Sequence, residues 1–173
     1  GMLQGDDIFL EALPAGYRVQ AIDFIANNAQ ALQGFVATSK FYADFMAQYV
    51  RLPRERIHVV YPGLNLKGHG GSRPRRAGEP FTLGYFARIG PDKGLHLLVD
   101  AFVRLHAGPG AAPCRLHVSG WLGNQQRPFL EEQKQKLAAA DLLRHFHHVG
   151  SPHHADKVRF LHNIDVLSVP TVY

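Results

Sequence analysis

The chain has 173 residues, with 19 lysines and arginines against 14 aspartates and glutamates, and 46% of it is apolar. That is enough material for one α/β domain, or for one domain and part of another. No apolar run approaches the roughly 20 residues needed to span a bilayer, the opening GMLQGDD is acidic where a secretory signal would be basic, and the formal charge of +5 points to anionic partners without naming them.

Taken in chain order, Gly1-Met2 reads as a tag remnant, and Asp6 or Asp7 is placed to cap a short helix over Ile8, Phe9 and Leu10 that Pro14 closes. Val19, Ile22, Phe24, Ile25 and Ala29 fall close to helical spacing, which predicts a second helix from Ala15 to Leu32, broken by Gly34. Phe35 to Thr38 is a short buried strand, and Ser39 caps a third helix running through Phe41, Phe45 and Tyr49. A further strand covers 57–60 and ends at Pro62-Gly63. From Leu64 to Pro80 the chain is rich in glycine, holds Arg73, Arg75 and Arg76, and has almost no apolar residue, so it reads as a flexible linker.

Beyond the linker the pattern is regular. Strands at 81–87, 115–119, 146–149 and 165–169 alternate with helices at about 95–106, 126–140 and 155–163. Leu95, Leu98, Val99, Phe102 and Leu105 form one apolar stripe. Such alternation implies parallel strands joined by right-handed crossovers, a Rossmann-like sheet with flanking helices. The single cysteine, Cys114, lies in an apolar strand context and reads as a buried free thiol, which fits a reducing, cytoplasmic compartment.

The densest chemistry lies in FTLGYFARIGPDKGLHLLVDAF, from Phe81 to Phe102. An apolar strand ends in a turn with Arg88 and Lys93, and Gly94 opens a helix. Two cations and free helix N–H groups at a strand's carboxyl end suit phosphate. A guanidinium neutralises a diphosphate bidentately and an ammonium does so as a point charge, while Gly90 and Gly94 permit close backbone approach. Gly120 and Trp121 end the second strand of this half. They fit either a turn lining a nucleotide groove or a tight strand-to-helix turn with Trp121 capping the sheet. The five histidines His145, His147, His148, His153 and His154 invite a metal, yet His147 and His148 point to opposite faces of a strand, and no cysteine or clear carboxylate completes a set. Arg73, Arg75 and Arg76 suit either acidic lipid headgroups or a solvated loop. The basic residues are scattered and no nucleic-acid-binding motif is present.

These landmarks resemble retaining glycosyltransferases of the GT-B fold, particularly the large family 4. The segment FVATSKFYADFM is similar to the family's strand-Ser-helix near the end of the acceptor domain, and RERIHVVYPGLN to the run into its domain junction. FARIGPDKGLHLLVDAF resembles the family's R-x4-K-G turn, RLHVSGWLG its second donor strand, and HHVGSPHHADKVRFLHNIDVLSVP its third and fourth strands. The resemblance covers roughly 35–173. It implies a tail of acceptor domain over 1–63, a linker over 64–80, and a nucleotide-sugar-binding domain over 81–173 that stops before the family's E-x7-E. It implies diphosphate contacts at Arg88, Lys93, Gly90 and Gly94, and a nucleotide groove at Gly120, Trp121, Gly150, Ser151, Pro152 and His153. Pro152 stands where relatives often offer a backbone N–H to the base, and proline has none. No catalytic residue, metal or cofactor is assigned. The partners implied are a nucleotide-sugar donor and a carbohydrate or lipid-linked acceptor, with peripheral membrane contact. The 173 residues alone are expected to transfer no sugar. A non-catalytic nucleotide- or phosphate-binding module is the alternative.

Overall fold

In a computed structural model, residues 1–71, 78–110, 113–150 and 152–172 are described. Arg73, Arg75, Arg76 and Ser151 lie outside the described residues. The chain divides into two units, residues 1–65 and 66–173. Most of the expected linker therefore belongs to the second unit. There the Lys67 carbonyl lies 2.8 Å from His154 Nε2, and the His69 ring meets the His154 ring edge-on at 5.6 Å.

The first unit contains β1 (Met2–Leu3), α1 (Asp6–Glu11), α2 (Ala15–Asn28), β2 (Phe35–Ala37), α3 (Lys40–Tyr49) and β3 (Ile57–Val59). The three strands are parallel in the order β1-β2-β3. Met2, read from the sequence as part of a tag remnant, pairs with Val36. Asp6 and Asp7 lie inside the first turn of α1 rather than capping it, and Gly5 takes the cap position. Their carboxylates accept from the Gln4 N–H and the Tyr42 hydroxyl, each at 2.7 Å. Ser39 does cap α3, its hydroxyl accepting from the Tyr42 N–H at 3.0 Å. The buried face of α3 carries Ala43 and Met46, with buried Val50 capping its end, whereas Phe41 is 77% exposed. Small Ala43 lets the helix lie close to the sheet, and the aromatic side chains stack along its flank, with Phe41–Phe45 at 6.3 Å and Phe45–Tyr49 at 5.4 Å. On α2, Val19 and Phe24 are exposed, while Ala29, just past the end of the helix, is buried.

The second unit contains β4 (Phe81–Phe86), α4 (Leu95–Ala107), β5 (Cys114–Ser119), α5 (Arg127–Ala139), β6 (Phe146–Val149), α6 (His154–His162) and β7 (Val166–Leu167). All four strands are parallel, in the order β6-β5-β4-β7. Registered neighbours share a face. On one face Leu83 and Tyr85, Leu116 and Val118, and Phe146 pack with Leu95, Leu98, Val99 and Phe102 of α4 and with Leu130 and Leu137 of α5. Leu105 lies at the edge of the α4 stripe and is exposed. The other face is polar toward β5 and β6, with Arg115, His117 and His147, and apolar under α6, where Phe86 meets Phe160 at 5.6 Å and Ile164 occupies the space beside Gly84. Cys114 is buried, and burial pushes its thiol up, so it stays protonated.

Candidate functional site

Parallel pairing brings the carboxyl ends of β4, β5, β6 and β7 to one edge of the second sheet. The chain steps from β4 outward through β5 to β6, then crosses back to place β7 on the other side of β4. The order of the sheet therefore reverses between β4 and β7, and open parallel sheets bind ligands at such a reversal, outside the carboxyl ends of the strands.

The turn that leaves β4 lies there. A 3-10 turn over Pro91–Lys93 leads through Gly94 into α4, and no side chain caps that helix. Its first N–H groups and the positive end of its dipole therefore face this edge. Arg88 is exposed and pairs with Asp92 four residues on. Lys93 is half-buried and has no carboxylate partner among the described residues. Gly94 adopts φ 70°, and a Cβ there would stand 1.9 Å from the Pro170 carbonyl oxygen. The segment after β7 thus passes directly over the turn, and the Val172 N–H donates to the Asp92 carbonyl at 3.2 Å. Gly90 is extended, and a Cβ there would meet only an Asp92 side-chain oxygen.

The turn is tied to β5 through its backbone. The Ala87 N–H donates to the Ser119 carbonyl at 3.2 Å, and the Ile89 N–H to the Trp121 carbonyl at 2.8 Å. Gly120 lies between them at φ 138°, where a Cβ would stand 1.9 Å from the Ala87 oxygen. Trp121 is 56% exposed, and its ring lies against Gly123.

From below, buried Tyr85 donates its hydroxyl to the Arg88 carbonyl at 3.1 Å. Burial above all, then the nearby Asp92 carboxylate, pushes this phenol up to about 12, with Arg88 opposing. A folded-state value above the ordinary one means that its contribution to stability is complete below about pH 10 and is lost as pH rises through about 12. Denaturant unfolding at pH 9 and pH 11.5 should show Tyr85→Phe losing less stability with alkali than the parent, over a constant offset of about 1 kcal/mol for the missing hydrogen bond. Equal alkaline losses in the two proteins would refute this assignment. Tyr42, also raised to about 12 mainly by burial, accounts for a residual slope in both.

One strand further out, Gly150, Pro152 and His153 follow β6. Two strand spacings put this end about 10 Å from that of β4. The Ser119 hydroxyl donates to the Gly150 carbonyl at 3.2 Å and links the two turns. Together with Ser119, Gly150, Pro152 and His153 border a hollow of about 420 Å³ that Asp156, Arg159, Phe160 and Asn163 close from the α6 side. Asp156 and Arg159 pair at 3.2 Å. Thus Arg88, Lys93, Gly90 and Gly94 share one turn, Gly120 and Trp121 are bonded beside it, and Gly150, Pro152 and His153 border the neighbouring hollow. Asp92, Ser119 and the α6 side chains complete this edge. Of these only Asp92 has a local signal in the sequence, as an acid four residues after Arg88. Among the described residues no group of three or more histidines, cysteines or carboxylates is placed to hold a metal, and no helix is long and apolar enough to cross a membrane.

Solved structures share this fold. Anabaena HepE in complex with UDP matches with a TM-score of 0.70 at 18% identity, over 89% of this chain and 43% of HepE. A glycosyltransferase from Rickettsia africae matches at 0.69 and 14% identity, over 92% of this chain and 42% of that one. Sucrose-phosphate synthase from Thermosynechococcus elongatus matches at 0.67 and 19% identity, over 94% and 40%. The fold is α/β, with parallel sheets flanked by helices, and it is that of the domains of GT-B glycosyltransferases. The chain spans less than half the length of these neighbours. No protein-family model matches the sequence, and no curated protein does.

Proposed function

We propose that the chain is the donor-binding part, with a tail of the acceptor domain, of a retaining glycosyltransferase of the family 4 kind. The parent enzyme transfers a sugar from a nucleotide diphosphate donor to a carbohydrate or lipid-linked acceptor, working in the cytoplasm in peripheral contact with the membrane. The observation that carries this reading is the β4–α4 turn, where Arg88, Lys93 and the uncapped start of α4 share the carboxyl edge at the reversal of the sheet.

As the bond from the anomeric carbon to the diphosphate breaks, negative charge builds on the departing phosphate oxygens. Arg88 holds two of them through its planar fork, Lys93 adds a compact positive charge, and the first N–H groups of α4 complete the cradle. These three sources supply the neutralisation, so the reaction is proposed to need no cofactor or metal. The base occupies the hollow beside Gly150, Pro152 and His153, with Gly120 and Trp121 between it and the diphosphate. Because Pro152 has no N–H, the base is held by the His153 N–H or by backbone carbonyls. Sugar transfer also needs an acceptor wall that excludes water, so activity is assigned to the complete enzyme.

Calorimetric titration of the 173-residue chain with UDP, GDP and ADP, each beside its monophosphate, tests the donor site. One nucleoside diphosphate should bind about tenfold or more tightly than its monophosphate, the worth of one added charge-assisted contact. HepE, a neighbour of this fold, binds UDP, which makes uridine the first base to try. Equal binding of the two phosphate states would remove the turn from the donor site. The anomeric configuration of the product formed by the complete enzyme, read by NMR, decides retention.

A further inference from the structure

The polar face of the second sheet carries a group of basic side chains away from the donor turn, of which only His147 also borders the hollow beside Gly150. Arg115, His117 and His147 project from this face, and Arg144 and His145 join them from the turn that enters β6 at its amino end. With Phe146 they line a hollow of about 340 Å³ in which every polar side chain is basic. The ring centroids of His117 and His147 lie 5.4 Å apart, and those of His145 and His106, the latter near the end of α4, lie 5.6 Å apart.

So many basic groups cannot all be charged at this spacing without a counter-ion. Arg144 Nε donates to His145 Nε2 at 3.2 Å, which requires that nitrogen to be unprotonated. His117 is held below the usual imidazole range by burial first, then by His147 and Arg115. His145 is lowered by burial, then by Arg144, His106 and Arg115, with Asp141 opposing. The carboxylates at hand are Asp141, paired with Arg144 at 2.7 Å, and Glu79, which borders the adjoining hollow with Arg115 and His117. Arg115 has no ion-pair partner among the described residues.

We propose that this hollow binds a phosphate group, at a site separate from the donor turn. A phosphate dianion would accept from Arg115 and from Arg144, which spends only two of its five donors on Asp141 and His145. Its charge supplies the counter-ion that the paired rings lack, so His117, held neutral by burial and its basic neighbours, gains a proton when it binds. The volume admits a phosphate ester rather than a bare ion alone, and the ester is either a soluble metabolite or a lipid headgroup.

Titrating inorganic phosphate into the 173-residue chain, followed by histidine ring NMR, should shift the rings of His117 and His145 saturably and raise the titration midpoint of His117. Replacing both Arg115→Ala and Arg144→Ala, each exposed, should weaken phosphate about tenfold or more while leaving UDP binding unchanged. Lys93→Ala should leave these ring shifts in place. Co-sedimentation with phosphatidylcholine vesicles with and without phosphatidylglycerol separates the sources. Anionic-vesicle binding that the double variant loses assigns a lipid headgroup, and phosphate binding without it assigns a soluble ester. Ring shifts that do not saturate, that persist in the double variant, or that disappear with Lys93→Ala overturn the proposal.

Discussion

Arg88→Ala and Lys93→Ala should each weaken nucleoside diphosphate binding by about 10- to 150-fold, the range given by losing one charge-assisted contact worth about 1.5–3 kcal/mol. The two should not behave alike. Removing Arg88 also strips Asp92 of its partner and leaves a bare carboxylate on the turn, facing an anionic ligand. Arg88→Ala should therefore be the more damaging, and adding Asp92→Asn to it should recover part of the loss. Lys93 has no such acid among the described residues, so adding Asp92→Asn to Lys93→Ala should not recover binding in the same way. Because ion pairing dominates, the parent's affinity should fall with salt, and both variants should show a shallower dependence. Titration calorimetry of UDP at two ionic strengths reads all of this. If both variants bound diphosphate as tightly as the parent, the turn would have to be removed from the donor site.

The parts legible in the sequence are those whose cause is local. The stripe Leu95, Leu98, Val99 and Phe102 is recorded in neighbouring positions, and all four residues are buried. The turn from Arg88 to Gly94 could be picked out because its cations, its glycines and the helix start lie within a few residues. The opposite holds where pairing register decides. Ser119 and Gly150 are 31 residues apart, and only the β5–β6 register brings the hydroxyl to that carbonyl. The same register sets Arg115 and His117 beside β6, so the basic hollow has no signature in the chain order. On α3, Phe41, Phe45 and Tyr49 mark the helix in the sequence, and Phe45 and Tyr49 pack against the core, but the most deeply buried positions are Ala43 and Met46, because a small side chain allows closer packing of helix on sheet. The two-residue strand Met2–Leu3 is too short to show any alternation.

Gly94→Ala and Gly120→Ala should each destabilise the second unit by about 2–5 kcal/mol, combining the cost of a side chain at positive φ with that of overpacking. In both cases the atom in the way is a backbone oxygen at 1.9 Å, that of Pro170 over Gly94 and that of Ala87 over Gly120. Neither can swing aside as a side chain would. To admit a methyl group, Gly94 would have to push the segment after β7 off the turn, breaking the bond from the Val172 N–H to the Asp92 carbonyl. Gly120 would have to part the β4 and β5 turns, which the Ala87 and Ile89 N–H groups hold together. Gly90→Ala is the internal control. Its backbone is extended, and its nearest obstruction is an Asp92 carboxylate oxygen at 2.7 Å that can rotate away. Its stability should stay within about 1 kcal/mol of the parent, helped by the lower entropy of the unfolded chain. Displacing Asp92 disturbs the partner of Arg88, so Gly90→Ala should weaken UDP binding while leaving the unfolding midpoint in place. Thermal and urea unfolding of the three variants, read beside UDP titration, separates a residue required by packing from one required by the ligand. Parental stability in Gly94→Ala would show that the Pro170 segment does not lie over the turn.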